Sequence, residues 1–190
     1  MTYPQALKAL SQGKFAPSIA ALLGHLAYNP EDRRAWMYLG IAYTESGHHD
    51  SATAALHKAE GLGEESAELR EALGCAYLRQ GKTDAAEWYL LEAVESDAPP
   101  PSALRNLGIL RLKMGRLEEA HNLVSQALSR SPDDAQSLYA RVLILEQLYR
   151  SHRSIMSQTE LFGAIGDLLE RPGLPQEIRR GAAHCLSLCR

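Results

Sequence analysis

Apolar and small residues along this chain fall three and four positions apart, and the pattern they make returns every 34 residues. Trp36, Leu39, Gly40 and Tyr43 take the i, i+3, i+4, i+7 spacing of one helical stripe, and Gly47 ends it. A second stripe follows at Ala52, Leu56 and Ala59 and is broken by Gly61 and Gly63. The next unit repeats the arrangement with Leu73, Gly74, Tyr77, Gly81, Ala86, Leu90 and Ala93, and the one after it with Leu104, Leu107, Gly108, Gly115, Ala120, Val124 and Ala127. A repeat of this length is the mark of stacked supersecondary units. Each unit reads as two antiparallel helices. Turns are expected at Gly13, Gly47, Gly81 and Gly115, where a left-handed residue reverses the chain, and residues 33–134 leave no room for a strand.

The small columns have a packing reason. Gly40, Gly74 and Gly108 carry no side chain, and Ala52, Ala86 and Ala120 only a methyl, so the two helices of a pair can approach closely where they cross. The fourth unit is entered through Ala98-Pro99-Pro100-Pro101-Ser102, and proline suits a first helical turn because its missing N–H would have been unpaired there. Both ends are degraded copies. Gly13-Lys14-Phe15, Leu22 and Asn29-Pro30 fit the back half of a first unit. After Pro132, Leu138, Val142, Leu145 and Tyr149 begin a fifth that has lost the Leu-Gly pair. Its partner helix carries Ile155, Phe162, Ile165 and Leu169 and stops at Arg171-Pro172-Gly173. A last helix with Ile178, Ala182, Cys185, Leu186 and Cys189 caps the array.

These columns resemble the tetratricopeptide repeat family, whose pattern is W-x2-L-G-x2-Y followed by G, then A-x3-F, A and P. Trp36, Leu39, Gly40, Tyr43, Gly47, Ala52 and Ala59 match it in one window, and Pro30 and Pro132 fall at the closing proline. The likeness covers roughly residues 3–134. Arg70 and Leu104 replace the first aromatic, Arg111 the tyrosine, and Leu56, Leu90 and Val124 the phenylalanine. The resemblance implies an all-α, tetratricopeptide-type right-handed superhelix of antiparallel helix pairs. Four repeats are expected at about 1–32, 33–66, 67–100 and 101–134, with a degenerate fifth repeat and C-terminal capping helix over 135–190 in the same continuous domain.

Composition narrows the function classes. With 190 residues, 45% hydrophobic, 23% charged and a net charge of -3, the chain has the make-up of a soluble globular protein. It shows no basic stripe of the kind that nucleic acid attracts. No run approaches the ~18 apolar residues of a membrane span, and the first ten residues have no leader pattern, so a cytoplasmic location is expected. Cys75, Cys185 and Cys189 are too few for a disulfide framework.

No catalytic set emerges: there is no nucleophile elbow, P-loop or dinucleotide fingerprint. A non-enzymatic chain without cofactor or metal is therefore expected. His184, Cys185 and Cys189 continue a buried stripe rather than make a zinc cluster, and His48, His49 and His57 read as solvated turn residues. The acidic pairs Glu64-Glu65, Glu118-Glu119 and Asp133-Asp134 sit near helix starts, where carboxylates oppose the helix dipole. Arg150 to Arg153 reads as a solvated loop.

What the family resemblance implies about function is a concave face lined by the first helix of each pair. By register this face holds Tyr3, Leu7 and Leu10, then Arg34, Met37, Ile41 and Thr44, then Glu68, Glu71, Cys75 and Leu78, flanked by Arg79, then Ser102, Arg105, Ile109 and Leu112, and finally Gln136, Tyr139 and Leu143. The apolar centre at Met37, Ile41, Leu78, Ile109 and Leu112 is expected to stay exposed and to receive a peptide segment or amphipathic helix of another protein, with Arg34, Arg79, Arg105 and Lys113 orienting its carboxylates. The family's carboxylate-holding subclass is not matched. In one register its positions are Met37, Ile41, Ala72, Ser102 and Asn106, and one unit later Glu71, Cys75, Asn106, Gln136 and Ala140, and neither set supplies the cations. An interaction adaptor is thus the leading expectation. The alternative is a dedicated chaperone of a secreted or assembly component, since the small chaperones of type III secretion are similar in build. Self-association is compatible with either. Were the face filled by the C-terminal helices, binding would move to the outer side near Trp88 and Tyr89.

Overall fold

The computed structural model describes the backbone of residues 2–152 and 155–188; Arg153 and Cys189 lie outside the described residues, as does the side chain of Ile155. The chain divides into two compact units, Met1–Pro99 and Pro100–Arg190. The first holds α1 (Tyr3–Ser11), α2 (Phe15–Tyr28), α3 (Arg33–Glu45), α4 (His49–Gly61), α5 (Ala67–Arg79) and α6 (Thr83–Val94). In the second are α7 (Pro101–Lys113), α8 (Leu117–Arg130), α9 (Ala135–His152), α10 (Ile155–Leu169) and α11 (Gln176–Leu188). No strand occurs among the described residues, and none of the described helices is long and apolar enough to cross a membrane.

The turn glycines behave alike. Gly13, Gly47, Gly81 and Gly115 have φ of 71°, 83°, 74° and 75°. After each, the next N–H donates to the carbonyl five residues back: Lys14 to Ala9, His48 to Tyr43, Lys82 to Tyr77 and Arg116 to Arg111, at 2.9–3.0 Å. This 6→1 bond closes the helix and turns the chain towards its partner. Helix starts repeat as well. Asp32 accepts from the Ala35 N–H at 3.0 Å, Ser66 from Leu69 at 3.3 Å and Asp134 from Ser137 at 3.0 Å, a capping column on the 34-residue register that is interrupted only at Pro100.

The helix-pair crossings are tight, with a different partner from the one the small columns suggest. A Cβ added at Gly74 would lie 2.7 Å from Leu90 Cγ and 3.3 Å from the Ala86 carbonyl oxygen. At Gly108 the first obstacle is Val124 Cγ2, at 2.8 Å, and at Gly40 it is the side chain of Leu56. Glycine therefore makes room for the Leu56, Leu90, Val124 column, while the alanines allow their own backbone to come close.

Residues that depart from the family pattern are accommodated by pairing. Arg70, in the tryptophan column, meets Glu60 at 2.6 Å, and Arg111, in the tyrosine column, is 5% exposed and lies 3.3 Å from Glu119. Glu64, in the proline column, is buried beside Arg33, whose guanidinium also donates to the Gly63 carbonyl at 2.8 Å. In the fifth pair, Val142 puts a fully buried side chain in the glycine column and packs with Leu161, Ala164 and Ile165 of α10.

Candidate functional site

In the first unit the inner-register residues lie on α1, α3 and α5. Met37 is corrected from site to core: it is 4% exposed, joins Leu69, Ala72 and Leu73 in one cluster, and receives the Ser66 hydroxyl at 3.9 Å from its sulfur. The cause is stacking, since the start of α5 lies over the middle of α3. Thr44 is likewise buried, donating to the Gly40 carbonyl at 2.9 Å. Ile41 is half-buried against the same cluster as Met37, and Leu78 and Cys75 are also half-buried. Arg34 is exposed, Arg79 is exposed with Glu45 at 3.6 Å, and Glu68 of the same register is exposed as well. What the face offers is thus a shallow apolar strip bordered by two arginines and, at the start of α5, by Glu68.

In the second unit, Ile109 and Leu112 are half-buried against Ala120, Val124, Ala140 and Ile144, so they too fall short of the exposure expected of them. Arg105 is engaged within the fold. Its guanidinium donates to Asp134 at 2.8 Å, tying α7 to the cap of α9, and only 14% of its side chain is exposed. Burial alone would raise the Asp134 carboxyl, but the Ser137 hydroxyl and Arg105 outweigh it and hold the group below the usual carboxylate range. Tyr139 lies under α11, where a Cβ on Gly181 would meet its ring carbon Cζ at 2.6 Å. Burial, helped by Cys185 and Glu146, pushes its phenol up. Of the face expected in this unit, Ile109, Leu112 and exposed Lys113 remain.

Sequence reasoning named Trp88 and Tyr89 but missed the polar network beside them in the first unit, in which His57 is half-buried rather than a solvated turn residue. His57 Nε2 lies 2.8 Å from the Tyr77 hydroxyl and its Nδ1 3.0 Å from Glu60, which holds Arg70. Tyr77 and Tyr89 stack at 5.5 Å and 11°, Lys82 sits 5.6 Å over the Tyr77 ring, and Trp88, 53% exposed, meets the edge of Tyr89 at 4.6 Å. Burial, followed by Glu60 and Tyr77, raises the Tyr89 phenol. The signal was present in the spacing: His57 is one helical turn before Glu60, and Tyr77 occupies a repeat column.

The second unit also has a cleft of about 650 Å³ between α8, α9 and α10, lined by Leu128, Leu138, Arg141, Asp167, Arg171 and Pro172 among others. Its charges answer one another, Arg171 with Asp133 at 2.5 Å and Arg141 with Asp167 at 3.7 Å. Among the described residues no group of three His, Cys, Asp or Glu side chains is placed to hold a metal ion.

Paired antiparallel helices, closed by left-handed glycines and stacked through a 34-residue register, define a helical-repeat protein. Residues 3–67, 41–103 and 77–142 match tetratricopeptide repeat family models. The chain belongs to the tetratricopeptide repeat family. It is 39% identical over 57 residues to the peroxisomal targeting signal 1 receptor of Dictyostelium discoideum, a match that spans 30% of this chain and 9% of the receptor. Among solved structures, PilW, a type IV pilus biogenesis factor, aligns with a TM-score of 0.74 at 17% identity over 98% of this chain and 88% of its own. YrrB, described as a tetratricopeptide repeat protein with an unusual peptide-binding site, gives 0.66 at 19% identity over 97% and 90%. At these identities the likeness to both is one of fold.

Proposed function

We propose that the chain is a non-enzymatic interaction scaffold that binds a peptide segment or amphipathic helix of another protein on its first-helix faces. The observation that carries this reading is the α3–α5 face, where Ile41, Cys75 and Leu78 form an apolar strip between the exposed guanidiniums of Arg34 and Arg79. Half-buried side chains that are already ordered lose little entropy when a ligand covers them, and rim arginines select a segment carrying carboxylates. Ile109, Leu112 and Lys113 offer a smaller surface of the same kind on α7. The peptide-binding site attributed to YrrB and the targeting-signal recognition in the receptor's name support a peptide ligand. A chaperone of a secreted or assembly component would use the same faces.

The test is affinity capture from the source organism with the whole chain and with Arg34→Glu/Arg79→Glu. Both positions are exposed, so melting should be unchanged while captured partners are lost, by tenfold or more. Partners that survive this change but disappear with Trp88→Ala would overturn the inner-face reading and place binding on the outer aromatic patch.

A further inference from the structure

The outward faces of α4, α6 and α8 carry charged and polar side chains, interrupted by exposed Ala54 on α4 and Trp88 on α6. Asp50, Ser51 and Lys58 lie on α4, Asp84 and Glu92 on α6, and Glu118, Glu119, Asn122 and Gln126 on α8. The same register positions on α2 are Ala16, Pro17, Ala20, Leu23, Gly24, Ala27 and Tyr28, all exposed and none charged. Leu23 is 44% and Tyr28 89% exposed. At 3.6 residues per turn these seven share one arc of about 140°. Helices apolar on every side are normally covered on every side.

We infer that a second copy of this chain covers this face, through antiparallel pairing of α2 with α2. The argument is complementarity of size and charge. Bulk is concentrated at the C-terminal end of the face, in Tyr28, and the smallest surface at the other, in Ala16 and Pro17. A two-fold axis near the level of residue 22 sets Tyr28 of one copy over Ala16 and Pro17 of its partner, and Ala20 opposite Gly24, where no atom of the chain lies within 4 Å of an added Cβ. The same axis brings Lys14 near the level of Glu31, both exposed, so that the charges at the two ends of the face meet with opposite sign. An antiparallel pair also opposes the two helix dipoles. An unrelated charged helix would have to desolvate its charges against a face that has none. The contact is small: α2 is about 21 Å long and a helix ~10 Å wide, less than the ~1,200 Å² of total surface that a stable complex buries. Pairing is therefore weak and reversible.

Sedimentation of the whole chain from low micromolar to millimolar concentration tests this. A monomer–dimer equilibrium is expected, and Leu23→Glu or Tyr28→Glu should weaken it at least tenfold without changing the melting temperature. A second readout fixes the geometry. Under mild oxidation Ala16→Cys/Tyr28→Cys should link position 16 of one chain to position 28 of the other, whereas Tyr28→Cys alone should not link to itself, because its two copies lie about 18 Å apart along the axis. A chain that stays monomeric at every concentration, a dimer indifferent to both glutamates, or efficient linkage through position 28 alone overturns the proposal.

Discussion

Gly74 shows what a single missing methyl permits. Leu90 Cγ occupies space within 2.7 Å of where a Cβ would be, so Gly74→Leu should cost about 1–3 kcal/mol or more through overpacking. Adding Leu90→Ala should return part of that loss, because both changes act at one contact; thermal unfolding of the single and double variants measures it, and an unchanged midpoint in the single variant refutes the contact. The small columns were legible in the sequence, but their partner was not. Helical side chains lean towards the N-terminus of their own helix, so Leu90 covers the level of Ala86, and spacing alone pointed to Ala86, whose carbonyl oxygen does lie 3.3 Å from the added Cβ, but not to the nearer leucine. Arg70 and Arg111 were legible as departures, whereas Glu60 and Glu119, which neutralise them, become neighbours only when the helices fold together.

Among elements, the capping column Asp32, Ser66, Asp134 marks the starts of α3, α5 and α9, while Pro100 opens α7 without a side-chain cap. Ser66→Ala removes the side-chain acceptor of the Leu69 N–H, leaving only the Ser66 carbonyl at 3.1 Å, and should lower stability by about 1 kcal/mol, with hydrogen exchange rising first in the opening turn of α5; protection unchanged there would show that the cap contributes nothing. The turn glycines gave away helix ends because left-handed backbone selects for them. The inner face was read less well. Register places a residue on a side of its helix, but how far the next first helix advances over it depends on three-dimensional stacking. Met37 vanished under α5 for that reason and Tyr139 is half covered by α11, while Arg34 and Arg79 lay far enough out to remain exposed.

For the whole molecule, stability should fall at both ends of the pH scale. Burial raises the Asp32 carboxyl, but His25 and the Ala35 N–H more than reverse it, so Asp32, like Asp134, titrates lower in the folded chain than in the unfolded one. Their contribution is present above the unfolded value of ~3.9 and is lost as pH falls through the folded values. The tyrosines act at the other end. Burial, then Asp32 and Tyr38, pushes Tyr3 up to about 12, and Tyr89 and Tyr139 are raised as well. A phenol raised by folding contributes fully below ~10 and loses that contribution as pH rises through the folded value. Melting temperature against pH should show both limbs, with Asp134→Asn flattening the acid one and Tyr3→Phe the alkaline one; unaltered limbs would assign the fall to other groups.

The chain has two tryptophans, Trp36 and Trp88, and both belong to the unit Met1–Pro99. Trp36 donates its indole N–H to the Pro30 carbonyl at 2.8 Å, and Trp88 rests half in water against Tyr89. Selective indole excitation therefore watches only one half of the protein, while circular dichroism averages over every helix in it. The two optical signals amount to a local and a global thermometer within one unlabelled molecule, and the gap between their transition curves reads out directly how far the halves melt in concert.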